Sequence, residues 1–401
     1  MDYSFSGARL PPRSGCDGAP QGYRGPVSRT RDQDACPGAL QVHQAADGGL
    51  VRVRLPGGVL SAAALETLAH LASRHGTGVL ELTSRGSLQI RGITDAGLVA
   101  ETLAGAGLLP STTHERVRNI VSSPLSGRSG GLRDVRGWVG ELDAALQADP
   151  ALAALPGRFW FSLDDGRADV AGLRTDVGVV AGAEDVALLL AGVDTGVRLA
   201  AEDTVPTMVE IARRFQAIRG KRWRVTELDD PGVLLDGFTV TAEAGFEYPP
   251  DSGRPPVGWI PQTADPTGDR VALGAAVPLG VLPARTAEFL AAIEAPIVVT
   301  PWRSVLVCDL AEDVADASLR VLAPLGLVFD ENSRWLTVSA CTGSPGCDKS
   351  LADVRADAQQ ALGQGTPGVH RHFVGCPRAC GSPVGAQVLV ATGDGYEERH
   401  P

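Results

Sequence analysis

Residues 50–55 read LVRVRL, alternating apolar and charged positions with the two-residue period of a half-buried strand. Pro56-Gly57-Gly58 then predicts a turn. Ser61 is placed to cap a helix that carries Leu65, Leu68 and Leu71 on one face and stops at Gly76. Two short apolar runs, 79–83 and 88–91, flank Ser84-Arg85-Gly86-Ser87 and read as a strand pair. A second helix is predicted over about residues 94–106, with Gly107 just past its end. The order is strand, helix, strand, strand, helix.

That order returns over residues 269–327. A strand at 270–273 leads to a helix predicted to open near Leu282-Pro283, with the proline suited to the first turn. Residues 297–300 and 304–308 form the strand pair, and a helix over about 311–322 precedes Gly326. Thr83 corresponds to Thr300, Ser87 to Ser304 and Gly107 to Gly326, so the register barely drifts between the copies. Two copies of one α+β module imply a pseudo-twofold chain. A longer stretch follows each copy, opening with RVRNIVSSP at 116–124 and with WLTVSAC at 335–341. In the second stretch, residues 349–362 predict a helix with Leu351, Val354, Ala358 and Leu362 along one stripe. Residues 186–193 (VALLLAGV) read as a core element.

The chain has 401 residues, enough for two or three domains, and a net charge of −11. That charge argues against a nucleic-acid partner. An anionic substrate would have to be held by a local cluster of arginines. No apolar run approaches the roughly 20 residues of a bilayer span, and the opening MDYSFSGARLPPRSG has no apolar segment. A soluble, cytoplasmic protein is expected. Residues 1–35 mix Arg, Gly, Pro, Ser and Asp without periodicity and read as a disordered leader.

Chemistry enters with the cysteines. Cys341 and Cys347 are separated by five residues, Cys376 and Cys380 by three, and Gly and Pro crowd both pairs. Four thiolates are the full ligand set of a cubane iron–sulfur cluster. A structural zinc site favours tighter knuckles, and disulfides need an oxidising compartment. The predicted helix after Cys347 would set its positive end toward an anionic cluster. Cys308 lies in an apolar run and reads as a core thiol, Cys16 as unliganded, and Cys36 is ambiguous. His370-Arg-His372 is a candidate metal-binding string, although such strings more often lie unliganded in loops. Asp164-Asp165-Gly166 is either a carboxylate source or a turn.

Paired half-modules followed by this cysteine spacing resemble the nitrite/sulfite reductase superfamily. Several strings look closer to the branch that hydroxylates a precorrin in aerobic cobalamin biosynthesis: ACPGAL at 35–40, LPGRF at 155–159 and ACTGSPGC at 340–347. The resemblance implies an α+β, pseudo-twofold nitrite/sulfite reductase-like fold. Its expected parts are two ferredoxin-like half-modules (36–112 and 251–330) and two larger α/β segments of the cluster- or tetrapyrrole-binding type (113–250 and 331–401). It implies an iron–sulfur monooxygenase with a [4Fe–4S] cluster on Cys341, Cys347, Cys376 and Cys380 and a mononuclear non-haem iron. The implied partners are a precorrin tetrapyrrole, dioxygen and a separate electron-donor reductase, since no nicotinamide or flavin domain is apparent.

Reductases of the superfamily line their pocket with four basic residues. Three of those positions match Arg85, Arg118 and Arg158 here, whereas Trp160 stands at the fourth, where the reductase string has a lysine. Arg85, Arg118 and Arg158 are therefore the expected catalytic and substrate-binding cations, with Trp160, Arg378 and Lys349 lining the same pocket. Trp160 offers an apolar wall for a macrocycle in place of a charge for an oxyanion. Alternation should send Phe159 and Phe161 into the core and Trp160 toward the cavity. Competing readings are a sirohaem-dependent sulfite or nitrite reductase and a non-catalytic tetrapyrrole or cluster carrier.

Overall fold

The computed structural model describes residues 34–243, 245, 254–265, 268–364 and 368–399. The expected leader, with Cys16, falls outside these residues except for its last two positions, and of those Asp34 is buried against Arg116.

The first module runs β1 (His43–Ala45), β2 (Gly48–Val53), β3 (Val59–Leu60), α1 (Ala62–His75), β4 (Val79–Leu82), β5 (Leu88–Ile93) and α2 (Ala96–Gly105). Ser61 caps α1 by accepting from the Ala64 amide, and Asp95 caps α2 by accepting from Leu98. The first long segment contains β6 (Ile120–Ser122), α3 (Arg136–Ala148), β7 (Phe161–Asp164), β8 (Val177–Ala181), β9 (Val186–Leu190), β10 (Val193–Leu199) and α4 (Thr204–Ile218). The second module has β11 (Gly258–Pro261), β12 (Arg270–Ala276), β13 (Val281–Pro283), α5 (Ala284–Ala291), β14 (Ile297–Val299), β15 (Ser304–Ala311) and α6 (Glu312–Leu322). The second long segment holds β16 (Val338–Ala340), α7 (Val354–Gln360), β17 (Arg371–Val374), β18 (Gln387–Ala391) and β19 (Tyr396–Arg399).

Two elements differ from expectation. Leu282 and Pro283 end a strand, and Pro283 becomes the N-cap of α5 instead of its first turn. The helix expected over 349–362 is only the seven residues of α7, and Leu351 is exposed. The stretch ahead of α7 is held open because its amides are used elsewhere: Ser350 donates to the Cys347 carbonyl and Leu351 to Gly375. Helix propensity yields to those tertiary bonds. So short a helix, opening beyond Cys347, does not provide the dipole expected at the cysteines.

The two modules are interlocked. The sheet of the first has the order β1-β2-β5-β4-β13, and that of the second β11-β12-β15-β14-β3. Each module therefore lends one short strand to the other: β13 pairs antiparallel with β4, and β3 with β14. Gly58 and Gly280 make these crossings possible. Both have positive φ, and a Cβ on Gly58 would collide with the Val299 carbonyl oxygen. One hydrophobic core runs through both modules, from Val51, Leu68 and Ile90 to Leu290, Ile297 and Val307.

Each long segment builds its own sheet and core. In the first, β6, β7 and β8 are parallel and β9 returns antiparallel; in the second, β16, β17 and β18 are parallel and β19 returns antiparallel. The spacing of strand starts from β7 through β8 to β9 is repeated without change from β17 through β18 to β19. The connection from β6 to β7 is longer than the one from β16 to β17. The difference between the copies falls in that connection, which carries α3 in the first segment and the first cysteine pair with α7 in the second.

Candidate functional site

Cys341 directly follows β16, and Cys347 closes a tight loop by donating its amide to Gly343. Cys376 and Cys380 follow β17. Both pairs thus emerge from the same ends of adjacent parallel strands. Burial and the nearby Cys347 and Cys376 push the Cys341 thiol up, against the amides of Gly375 and Gly343, which favour its thiolate. Burial, Cys341 and Cys376 push Cys380 up as well. Neighbouring sulfurs that disfavour the charge of Cys341 and Cys380, with backbone amides aimed at Cys341, suit a cationic inorganic core. Among the described residues no three His, Cys, Asp or Glu side chains close on one point as ligands of a single ion. A cubane spreads its four thiolates over four iron atoms, so the absence of a single-ion site does not count against one. The mononuclear iron implied by the resemblance finds no such ligand set there.

The cysteine loops are pinned from the first module. Arg91 on β5 makes a two-pronged ion pair with Asp47, at 2.7 and 2.9 Å, and donates to the Gly346 carbonyl. Arg355 on α7 pairs with Glu81 on β4. Arg303, at positive φ, donates to the Gly381 carbonyl at 2.8 Å, and burial holds its pKa down to about 10. The candidate histidines serve the same scaffold. Both accept or donate at Ser339 Oγ at 2.7 Å, and His372 Nε2 lies 3.0 Å from the Cys380 carbonyl oxygen.

With the strands of the two segments matched, Ser123 directly after β6 corresponds to Cys341, and Gly166 just past β7 corresponds to Cys376. That place is filled by hydrogen bonds. Ser123 donates to Asp169 at 2.6 Å and accepts from the Asp165 amide. Asp164 accepts from four backbone amides, those of Gly166, Ala168, Val170 and Ala171. The Asp-Asp-Gly string is therefore a structural turn. Burial, aided by Asp164, pushes Asp169 up to about 7.

Arg85 and Arg158 lie in one neighbourhood. Arg85 donates to the Gly157 carbonyl at 3.2 Å, and its guanidinium lies 5.3 Å from the centre of the Trp160 ring. Burial, together with Arg224, Arg52 and Arg158, lowers its pKa to about 10 against the opposing effect of Cys36. The side chain of Arg158 stacks on Trp223 at 5.3 Å and is close enough to Cys380 to favour its thiolate. Asn119 holds this loop: its amide donates to Arg116, Gly157 and Phe159 carbonyls, all at 3.0 Å. Trp160 is 7% exposed and its Nε1 has no partner. Phe159 and Phe161 sit in the core of the first segment, while Trp160 packs on the other side with Val121, Val170 and Trp302.

Arg118 does not join this group. Its fork is closed on Asp143 of α3, at 2.6 and 2.7 Å, and its side chain is 8% exposed. An arginine so paired has no free donor face for a substrate. Lys349 is exposed and lies 3.4 Å from Asp348, and Arg378 is exposed between the second pair of cysteines. Two groups missed from sequence are Arg224 and Cys36. Cys36 Sγ accepts from Arg52 at 3.1 Å and Arg54 at 3.4 Å. Burial pushes this thiol up, but Arg52, Arg54 and Arg85 outweigh it, and its pKa falls below the usual value. No sequence pattern signals such a long-range cage.

Residues 43–100 match the nitrite/sulfite reductase ferredoxin-like half domain. The fold superposes on the structure of Mycobacterium tuberculosis NirA protein with a TM-score of 0.70 at 20% identity, over 87% of this chain and 73% of that one. A ferredoxin–nitrite reductase of Synechococcus elongatus is 32% identical over 127 residues, which is 29% of this chain and 25% of the relative. The fold is nitrite/sulfite reductase-like. A precorrin-3B synthase of Sinorhizobium sp. is 28% identical over 399 residues, covering 94% of this chain and 84% of that protein.

Proposed function

We propose that this chain is an oxidoreductase converting precorrin-3A to precorrin-3B, hydroxylating the macrocycle with dioxygen and closing a lactone. The observation that carries this reading is similarity to a precorrin-3B synthase along 94% of the chain, against about a quarter of the length of a nitrite reductase. The pocket residues agree with it. Arg85 and Arg158 offer fixed cations for the acidic side arms of a precorrin, and charge-assisted bonds of this kind contribute about 1.5–3 kcal/mol each. Trp160 stands where the reductase string has a lysine for a small oxyanion, and its buried indole, with Arg85 against the ring, removes that charge. Cys341, Cys347, Cys376 and Cys380 would hold a [4Fe–4S] cluster, which supplies electrons one at a time when bound, delivered from a separate reductase. Arg158, near Cys380, sits where bound substrate and cluster would meet.

Partial similarity to ferredoxin–nitrite reductases favours a second reading, a sirohaem-dependent reductase. Iron, acid-labile sulfide and tetrapyrrole would be assayed in anaerobically purified protein. Cluster iron without sirohaem is expected. Stoichiometric sirohaem together with sulfide production from sulfite would replace the first reading with the second.

A further inference from the structure

Asp176, fully buried immediately before β8, ties Trp160 to the segment that carries Arg224 and Val225. Its Oδ2 accepts from the Trp160 amide at 3.1 Å, and its Oδ1 accepts from the Val225 amide at 2.7 Å. Arg224 Nε lies 2.7 Å from Oδ2 in an ion pair that favours the carboxylate, and Arg224 Nη2 donates to the Arg174 carbonyl at 2.9 Å. The Arg224 guanidinium lies 5.6 Å from the centre of the Trp160 ring, and Arg85 lies 5.3 Å from the same centre. The neighbouring residue, Trp223, carries Arg158. One buried carboxylate thus fixes the indole and the loop bearing Arg224, which stands beside Arg85 and Arg158.

The donors and charges here are out of balance. Among the described residues, Trp160 Nε1 is a buried N–H with no acceptor, while Arg224 shares the buried Asp176. Arg85 spends one hydrogen bond on the Gly157 carbonyl and faces Arg224, Arg52 and Arg158, with the Cys36 thiol beside it. In a chain of net charge −11, such a concentration of cations around a buried unused donor is costly unless an anion completes it.

We propose that Trp160 Nε1, Arg224 and Arg85 together form a carboxylate-binding site that receives one acidic side arm of a tetrapyrrole, with Asp176 as the positioning residue. This rests on the tetrapyrrole reading of the pocket. Arg224 thereby restores the positive charge that Trp160 removes from the pocket, moved from the position of a lysine to the face of the indole. The exchange trades a cation suited to a small oxyanion for a cation and an N–H donor suited to a carboxylate.

The test is titration of the full chain, purified anaerobically with its iron–sulfur content intact, with uroporphyrin III, a stable octacarboxylate tetrapyrrole. Tryptophan quenching and calorimetry would follow binding. Arg224→Ala should weaken binding about tenfold or more, the loss of one charged hydrogen bond, and Arg224→Lys should restore only part of it. Trp160→Phe, which keeps the plane and deletes the N–H, should weaken binding severalfold. Asp176→Asn should weaken binding and reduce its salt dependence, because a loosened Arg224 no longer meets the carboxylate. Arg320→Ala, on the exposed face of α6, removes the same charge and should bind as wild type. Wild-type affinity in both Arg224→Ala and Trp160→Phe overturns this site alone. Wild-type protein that takes up no uroporphyrin overturns the tetrapyrrole reading and the site with it.

Discussion

Cys308 and Cys341 belong to the same chain and chemistry but face opposite demands. Cys308 is fully buried among Leu125, Ala272, Val298 and Leu306, and burial pushes its thiol up to about 11. It should be inert, so Cys308→Ser should keep full cluster iron and sulfide. Single serine variants of Cys341, Cys347, Cys376 or Cys380 should each lose most of both, by colorimetric assay. Asp169 gives a different test. Its folded pKa is raised from the usual 3.8 to about 7, so its contribution to stability is present below the lower value and is lost as pH rises through the upper one. Asp169→Asn should therefore gain in urea midpoint relative to wild type as pH is raised from about 5 to about 8. A constant difference would show that Asp169 titrates normally. At this scale the sequence exposes the cysteines because their spacing is local. It does not expose the Asp143 partner of Arg118, because a match to a motif says nothing about which carboxylate reaches the guanidinium.

Among the elements, β5 carries the connection that matters most to the site. Arg91 ties Asp47 and Gly346 together, joining the first module to the cysteine loop after β16. In the other copy, Asp309 on β15 binds Arg128 in the loop after β6. A tie of the same kind is thus built twice, with the arginine on the strand in one copy and on the loop in the other. Arg91→Met leaves Asp47 unpaired and should cost about 3 kcal/mol, the low end for a buried pair because Asp47 is partly exposed. Cluster loss on dilution into chelator should also accelerate, and a chelation rate equal to wild type would remove Arg91 from the support of the loop. Helices α1 and α2 are legible in the sequence because their caps are local, and α6 because it repeats the place of α2. The missing turns ahead of α7 are not, because the stripe from Leu351 to Leu362 has helical spacing while the backbone bonds of Ser350 and Leu351 go to the cysteine loops.

For the whole molecule, the repeat shows in the steady register of Thr83, Ser87 and Gly107 against Thr300, Ser304 and Gly326, but the exchange of β3 and β13 between the modules does not. Strands of two and three residues carry little pattern of their own. Because each module completes the other's sheet and shares its core, residues 34–243 expressed alone should lack the cooperative unfolding of the full chain. A sharp two-state melt of that fragment would contradict the shared core. The central claim is chemical, and mass spectrometry of the product tests it most directly. Precorrin-3A, the cluster-containing protein and a reductant are incubated under 18O2 and, in parallel, under argon. The account predicts a tetrapyrrole product carrying one 18O atom under 18O2 and unchanged precorrin under argon. Product formed equally under argon, or oxygen drawn only from water, would contradict it.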